Sequence, residues 1–276
     1  MKKTWLITGC SQGGFGDAIA RTILETGDNV AVTARNIDKV KELIKDYPET
    51  AFPITLDVTD PDSIDNAVNS TLNHFGTIDV LVNNAGYCYR SSVEESEDEE
   101  IQNIFDTNFF GLVRLIKKVL PVMRKKQRGV IVNFSSAAGL RGDAASAFYA
   151  ATKGAVELMS SSLKAEVEPL GLKVIVVEPG PFRTNFRYSL KGAPMTIPAY
   201  KDTAWTRYPE NTVNKNYQPG DPKMAAKILM DVVNSEQPPL RLLLGKMMVN
   251  YALNEYNQRI QEVEKWKDWS NSADFD

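Results

Sequence analysis

Ser136, Tyr149 and Lys153 are the residues of this chain whose types and spacing could move a proton. The stretch 146–167 is rich in Ala, Glu, Leu and Lys, and its apolar residues recur at roughly helical spacing, which predicts a helix. Residues four apart on a helix share a face, so the Tyr149 phenol and the Lys153 ammonium point the same way. A nearby positive charge lowers the pKa of a phenol from its usual value near ~10. We therefore expect Tyr149 to act as general acid to a carbonyl or as general base to an alcohol.

Ser136 is the candidate that holds the substrate oxygen. It follows the short apolar run 129–134, which predicts a buried strand, and ligands bind at the carboxyl ends of parallel strands. Each part alone has an ordinary explanation, because Ser-Ser after a strand is common in turns and helix caps, and Tyr and Lys four apart are common on surfaces. Among the ten tyrosines, however, only Tyr149 has a lysine four residues on. The combination favours catalysis.

Composition limits the classes of protein to which this chain could belong. A chain of 276 residues with 43% hydrophobic content fits a single large α/β domain, residues 1–276, and a net charge of -3 gives little support to a nucleic-acid surface. Cys10, Cys88 and His74 match no familiar disulfide or metal-site spacing, so we expect no metal, and one histidine disfavours a Ser-His-Asp hydrolase. The chain lacks a signal-peptide pattern and any run approaching ~18 apolar residues. We expect a cytoplasmic protein without membrane contact.

A glycine-rich stretch, 9–16, lies between a predicted strand and a predicted helix that starts near Asp17. Glycines permit positive φ angles and close backbone approach, and a helix N-terminus offers free N–H groups to a phosphate. The strand before and the helix after favour a dinucleotide loop over an ordinary tight turn.

Three further strand ends carry candidate cofactor contacts. Arg35 follows strand 29–34, where an acidic residue would bind the ribose 2′-hydroxyl of NAD. Arg35 is instead free to meet a 2′-phosphate, so NADP is preferred and NAD remains an alternative; otherwise Arg35 simply begins a polar loop. Asp57 could reach the cofactor base, and the small and amide residues 83–86 suit close packing along a ribose or an ordinary turn.

Long-range expectations concern four segments. The region from Asp98 to about Lys126 is predicted to be helical, with bends near Gly111 and Pro121, and Asn108 would approach Lys153 if the helices pack side by side. The acidic run 94–100 is interpreted as the solvated start of that helix. Residues of about 185–221 show no clear period and contain apolar anchors, which predicts a lid over a medium to bulky hydrophobic carbonyl or alcohol. A C-terminal helix is predicted over about 246–266.

The ordered motifs resemble the classical short-chain dehydrogenase/reductases over nearly the whole chain. The residues that carry the resemblance are Thr8-Gly9 and the glycine loop, Asp57, Asn83-Asn84-Ala85-Gly86, Asn108, Ser136, Tyr149, Lys153, Pro179-Gly180 and Thr184. The family implies an α/β fold with one Rossmann-type, doubly wound, mostly parallel seven-stranded sheet that has helices on both faces. The strand at 240–244 is similar to that of bacterial and fungal oxidoreductases related to retinol and hydroxysteroid dehydrogenases.

The resemblance also implies roles for individual residues. The implied catalytic residues are Asn108, Ser136, Tyr149 and Lys153. The implied cofactor-binding residues are Gly9, Ser11, Gly14, Phe15, Gly16, Arg35, Asp57, Val58, Asn84, Ala85, Gly86, Tyr149, Lys153, Pro179, Gly180 and Thr184. Lys153 would bind the nicotinamide ribose, Thr184 the nicotinamide amide, and Asn108 a water that links Lys153 to solvent. A homodimer or homotetramer is implied, through the long helices around Asn108 and Tyr149.

One departure from the family pattern lies in the glycine loop. The family has TGxxxGxG, whereas this chain has one extra residue between Gly9 and Phe15. Either Gly13 or Gly14 takes the middle role, and the diphosphate turn is expected to be looser. Gln12 is not basic, unlike the residue that many NADP enzymes of the family carry in this loop.

The leading hypothesis is an NADP-dependent oxidoreductase that transfers hydride between nicotinamide and a carbonyl or alcohol substrate. The alternative is a non-catalytic dinucleotide sensor or scaffold on the same fold, since fold does not dictate function. A third reading, an epimerase or dehydratase, ranks below both because of chain length and glycine spacing.

Overall fold

A computed structural model describes residues 2–208 and 218–275, and the side chain of Arg187 is also outside it. Its centre is a sheet of seven strands that read as almost continuous apolar runs, as expected for strands covered on both faces. These strands are β1 Thr4–Ile7, β2 Asn29–Ala34, β3 Ala51–Thr55, β4 Val80–Asn83, β6 Gly129–Phe134, β7 Leu172–Pro179 and β9 Arg241–Leu244. A separate pair comprises β5 Cys88–Arg90 and β8 Leu190–Gly192.

The sheet has the order β3-β2-β1-β4-β6-β7-β9, and every neighbouring pair is parallel. The predicted seven-stranded, doubly wound fold is therefore confirmed, and its main sheet is wholly parallel. The chain builds outward from β1 in one direction and from β4 in the other. This reversal opens a crevice at the carboxyl ends of β1 and β4, where ligands bind in open α/β sheets.

Eight α-helices flank the sheet in the described part of the chain. They are α1 Phe15–Leu24, α2 Lys41–Asp46, α3 Pro61–Phe75, α4 Asp98–Phe105, α5 Gly111–Lys126, α6 Ala147–Val167, α7 Pro222–Asn234 and α8 Lys246–Asn271. One apolar cluster joins α1 and α7 to one face, and a second joins α3, α5 and α6 to the other. Among the described residues, no helix has the length and apolar character that crossing a membrane requires.

The predicted helical region after Asp98 is interrupted by a π-helical turn, Asp106–Phe110, that contains Asn108. Such turns insert an extra residue into a helix and are frequent at functional sites. Gly111 follows directly, because a Cβ there would lie 2.6 Å from the Val58 carbonyl oxygen. Helix α5 runs on through Pro121. The π turn therefore lies directly before Gly111, where the sequence predicts a bend.

The predicted lid differs from the expected loop without regular structure. Its described part contains β8 and three short 3₁₀ turns, which are Asn185–Ser189, Pro198–Tyr200 and Ala204–Arg207. Residues 209–217 of the predicted lid lie outside the described residues. The C-terminal helix ends at Asn271, five residues beyond the predicted end at 266.

Candidate active site

Tyr149 and Lys153 lie on the first two turns of α6, and both side chains are buried. The Lys153 Nζ is 5.8 Å from the centre of the Tyr149 ring, so the two groups share a face as predicted. That Nζ donates a hydrogen bond of 2.7 Å to the carbonyl oxygen of Phe134, at the end of β6. Burial lowers the pKa of Lys153 to about 8. Lys153 can therefore gain or lose a proton close to neutral pH.

The expectation that Lys153 lowers the pKa of Tyr149 is wrong. Burial raises the pKa of the Tyr149 phenol above its usual value, while Ser136 and Arg90 pull it in the opposite direction. Loss of hydration penalises a phenolate strongly, and the Lys153 ammonium is engaged with the Phe134 carbonyl. Tyr149 is consequently held as a neutral phenol, which is the form that can donate a proton.

Ser136 both caps a turn and lines the candidate site, two roles that its sequence context suggested as alternatives. Its Oγ accepts a hydrogen bond of 3.2 Å from the Ala138 N–H and caps the 3₁₀ turn Ala137–Gly139. The same residue lines a cavity together with Tyr149 and Lys153. Capping holds the serine at the carboxyl end of β6, next to the buried phenol.

Asn108 is a buried residue of the π-helical turn. Its Oδ1 accepts a 3.0 Å hydrogen bond from the Tyr87 N–H, and its Nδ2 donates to the Tyr87 carbonyl oxygen at 2.9 Å and to the Thr152 Oγ1 at 3.4 Å. A Cβ on Gly86 would lie 3.0 Å from the Asn108 Oδ1 and 3.8 Å from the Lys153 Nζ. Asn108 and Lys153 therefore meet around Gly86, as the predicted helix packing required.

Ser136, Tyr149 and Lys153 face a cavity of about 170 Å³, whereas Asn108 does not line it. Its apolar wall includes Phe15, whose ring centre lies 5.5 Å from that of Phe134 and 5.0 Å from that of Phe182. Phe186 adds a further ring, 6.4 Å from the ring of Tyr149. The other lining residues are Asn84, Gly86, Ser135, Ser136, Lys153, Pro179, Gly180, Pro181, Thr184 and Gln218. Pro179, Gly180 and Thr184 are thus brought together with the catalytic candidates.

A larger groove of about 1250 Å³ adjoins the cavity and shares several of its residues. Arg35 and Lys39 lie along it, so two cationic side chains border the groove where β2 ends. Lys39 was missed from sequence, although its position four residues after Arg35 could have indicated it. The other predicted cofactor residues on the groove are Gly9, Ser11, Gly14, Phe15, Asp57, Val58, Asn84, Ala85, Gly86 and Thr184.

The glycine loop fits a dinucleotide. Gly9 has φ +72, and a Cβ on Gly16 would lie 2.4 Å from the Gly9 carbonyl oxygen, so both positions need glycine. Gly14 is the N-cap of α1, and no side chain caps that helix start. The first N–H groups of α1 therefore remain available at the groove, where a phosphate would bind them.

The extra loop residue is resolved as Gly13, which has φ +76. Its N–H donates to the Asp17 Oδ2 at 2.9 Å, and its carbonyl oxygen accepts from the Asn185 N–H at 2.9 Å. The Asn185 Nδ2 also donates to the Gln12 carbonyl oxygen at 3.0 Å. Gly14 thus takes the middle role, and the added residue joins the glycine loop to the start of the lid.

The residues after β4 hold the sheet and the loop together. The Asn84 Nδ2 donates to the carbonyl oxygens of Thr8 and Gly9 at 2.9 and 3.0 Å. The Thr8 Oγ1 accepts hydrogen bonds from the N–H groups of Asn84 and Ala85, each at 2.9 Å. These contacts fix the floor of the groove, and the ordinary-turn interpretation of 83–86 is insufficient.

Glu95 anchors the part of the predicted lid that follows β8. Its carboxylate accepts hydrogen bonds from five lid groups and from Ser92. The lid donors are the Thr196 N–H (2.7 Å), the Thr196 Oγ1 (3.3 Å), the Ile197 N–H (2.8 Å), the Trp205 Nε1 (3.2 Å) and the Tyr208 Oη (2.6 Å). Although burial opposes it, this set holds the pKa of Glu95 far below its usual value.

This arrangement corrects the interpretation of the acidic run 94–100. Helix α4 does begin at Asp98 with acidic residues in its first turn. Glu95, however, lies before that helix and binds chain that follows about 101 residues later. No local sequence pattern predicts such a contact. Among the described residues, no group of three or more His, Cys, Asp or Glu could hold a metal ion.

Comparison with known proteins places the geometry in a family. The family model described as "short chain dehydrogenase" matches residues 3–193. The oxidoreductase BOA17 of Botryotinia fuckeliana is 35% identical over 271 residues, which cover 98% of each chain.

Two solved structures are also similar. A short-chain dehydrogenase from Streptomyces avermitilis superposes with a TM-score of 0.92 at 38% identity and full coverage of both chains. An alcohol dehydrogenase from Thermococcus sibiricus, complexed with 5-hydroxy-NADP, gives a TM-score of 0.72 at 25% identity, covering 88% of this chain and 96% of that one.

Proposed function

Because this chain belongs to the short-chain dehydrogenase family of oxidoreductases, we propose that it is an NADP-dependent enzyme acting on a carbonyl or alcohol, with Tyr149 as general acid and base. The observation that carries the proposal is the buried Tyr149 phenol beside Lys153 and Ser136 in one cavity. When bound, the nicotinamide would supply hydride to a carbonyl carbon or accept it from an alcohol.

The chain's own residues handle the proton. In the reducing direction, Tyr149 gives its Oη proton to the oxygen of the carbonyl, and Ser136 holds that oxygen through its Oγ. Lys153, whose pKa is about 8, can return a proton to the phenolate that remains. In the oxidising direction the same atoms act in reverse order. Asn108 supports the pair by binding both backbone groups of Tyr87 beside Gly86.

Cofactor binding is assigned to the groove. The free N–H groups at the start of α1 would bind the diphosphate, and Asp57 and Val58 would flank the base. Pro179, Gly180 and Thr184 would border the nicotinamide, and Lys153 its ribose. Preference for NADP over NAD rests on the Arg35 and Lys39 side chains along the groove, with no acidic residue at Ala34. It is supported by the NADP derivative bound to the Thermococcus sibiricus relative.

The substrate is proposed to be a medium to bulky apolar molecule. Phe15, Phe182 and Phe186 form the wall opposite the polar atoms of Ser136 and Tyr149. Such a wall binds hydrocarbon surface and leaves the reacting oxygen to the polar side. We also propose a cytoplasmic location, in keeping with the two free, buried cysteines.

The test is consumption of NADPH and, separately, of NADH by the purified protein with a panel of aldehydes, ketones and quinones. The proposal predicts turnover with at least one bulky apolar carbonyl and a higher kcat/KM for NADPH. Binding of both cofactors without turnover on any panel member would favour the dinucleotide-sensor alternative. Equal kcat/KM for both cofactors would contradict the role given to Arg35.

A further inference from the structure

The C-terminal helix Lys246–Asn271 leaves the body of the molecule about half-way along its length. Met248, Ala252 and Glu255 are buried on its inner face, and Arg259 donates hydrogen bonds to Glu255 and to the Leu140 carbonyl oxygen. Every described residue from Tyr256 to Phe275 is exposed. An isolated helix of ~12–15 residues is marginal in water, so contact with a partner would stabilise the outer half of this helix.

The projecting helix carries a regular apolar strip, composed of Val249, Leu253, Tyr256, Ile260 and Val263. Successive members are separated by four, three, four and three residues, which is the alternation of a heptad seam. Their side chains are between 39% and 66% exposed. At ~1.5 Å rise per residue the strip is about 21 Å long. This spacing fits another α-helix, whose side chains would interdigitate along the seam.

Charge argues against a lipid surface as the partner. The exposed half of the helix carries acidic and basic side chains in equal number, which are Glu262, Glu264, Asp268, Arg259, Lys265 and Lys267. A helix that lies on an anionic membrane is instead rich in Lys and Arg on its polar face. In a parallel pair, Arg259 just before the strip position Ile260 would face Glu264 of the other helix, just after Val263. A second copy of the same helix therefore offers complementary charge.

The area of the strip is sufficient for pairing. Together with Trp266, which is 52% exposed, the strip presents on the order of 500 Å² of apolar surface per copy. Covering it in two copies would remove roughly 1000 Å² from water, the lower limit for a specific interface. The charged side chains beside the strip, such as Arg259 and Glu264, would bury further area.

We propose that the apolar strip is an interface with a second copy of this chain, formed by two paired C-terminal helices. This interface is separate from the one that the family resemblance implies around Asn108 and Tyr149, and it does not rest on the proposed enzymatic function. An isologous contact of this kind closes with two copies.

The experiment is the mass of the full chain in solution, measured by light scattering during size-exclusion chromatography over a range of concentrations. The variant Ile260→Glu/Val263→Glu places two carboxylates on the strip. The control variant Gln258→Glu/Gln261→Glu places the same charges on the same helix, outside the strip. Circular dichroism is used to check that each variant folds. A third variant, Leu158→Glu, places a carboxylate on the exposed face of α6, the helix of the family-implied interface.

The proposal predicts that the strip variant has half the mass of the unmodified chain and that the control variant keeps the full mass. A monomeric unmodified chain at tens of micromolar would overturn it. Retention of the full mass by the strip variant would overturn it as well, whether or not Leu158→Glu halves the mass. So would binding of the monomeric unmodified chain to anionic phospholipid vesicles when the strip variant does not bind.

Discussion

The two sides of the candidate site are held in place by different kinds of structure. On the cofactor side, the glycine loop and Arg35 follow directly from strands β1 and β2, which pair residue by residue in the sheet. On the substrate side, Thr196, Trp205 and Tyr208 lie in irregular chain that converges on one carboxylate, Glu95. The cofactor side therefore depends on backbone geometry, whereas the substrate side depends on a small number of polar contacts.

Because the two sides are held by different contacts, we expect a substitution on one side to have little effect on the other. A change on the cofactor side should alter cofactor affinity and leave the lid unchanged. A change at Glu95 should loosen the lid and leave the glycine loop unchanged, except where Asn185 joins the two through Gly13 and Gln12.

The largest expected effect on either side is loss of NADP selectivity in the double variant Arg35→Ala/Lys39→Ala. Removing both cations from the groove eliminates charge-assisted contacts to a 2′-phosphate, each worth ~1.5–3 kcal/mol. The dissociation constant of NADPH should rise at least roughly a hundredfold, while that of NADH changes little. Fluorescence titration with each cofactor measures both constants.

Lys45→Ala removes an exposed lysine from the end of α2 and serves as the matched control. It should leave both dissociation constants unchanged. A parallel loss of NADPH and NADH affinity in the double variant would show that Arg35 and Lys39 shape the groove without reading the phosphate.

A smaller effect is expected from Glu95→Gln on the substrate side. The amide keeps the shape of the side chain but weakens five contacts to the lid, because a neutral acceptor binds less strongly than a carboxylate. Lid opening should become several-fold more frequent. Cleavage by trypsin after the exposed residues Lys201 and Arg207 measures this opening, and it should accelerate by the same factor.

Glu94→Gln is the control, since among the described residues the Tyr200 hydroxyl is the one lid group that donates a hydrogen bond to Glu94. Its cleavage rate should stay close to that of the unmodified chain. NADPH affinity should be the same in both variants, and a large loss of it in Glu95→Gln would mean that the two sides are not separable.

The smallest effect concerns stability beneath the site. Glu178 is fully buried, its carboxylate shares Arg241 with Glu157, and neither of its oxygens has a hydrogen-bond partner in the described part of the chain. Burial, aided by the charge of Glu157, raises its pKa from 4.5 to about 7. Between these values the folded protein holds a proton that the unfolded chain has lost, so stability falls as pH rises through this window.

Glu178→Gln removes this titration. The variant should unfold at a higher temperature than the unmodified chain at pH 8 and at a similar temperature at pH 4. Glu166→Gln, which changes an exposed carboxylate on α6, should give the same small difference at both pH values. A difference for Glu178→Gln that does not vary with pH would contradict the assignment.

The sequence signals for the cofactor side are local. The glycines before α1, Arg35 after β2 and the i,i+4 pair Tyr149 and Lys153 are all visible in short stretches. The parallel sheet follows from apolar runs that alternate with helical patterns. Lys39 escaped notice, although it lies only four residues beyond Arg35.

What could not be predicted depends on contacts between distant residues. Glu95 binds Thr196 from 101 residues away, and β5 pairs with β8 across a similar separation. The π turn at Asn108 depends on packing around Val58 and Gly111. The pKa of Tyr149 was expected to fall but rises, because the extent of burial is a property of the fold and not of the spacing between Tyr149 and Lys153.

Tyr149→Phe tests the central claim most directly, because it deletes the single oxygen atom that is proposed to carry the proton. With a carbonyl substrate from the panel, turnover of NADPH should fall by ~10²–10⁴-fold. NADPH affinity and the unfolding temperature should stay close to those of the unmodified chain, and Tyr47→Phe should change none of the three. Retained turnover in Tyr149→Phe, with Tyr47→Phe unaffected, would show that another group moves the proton.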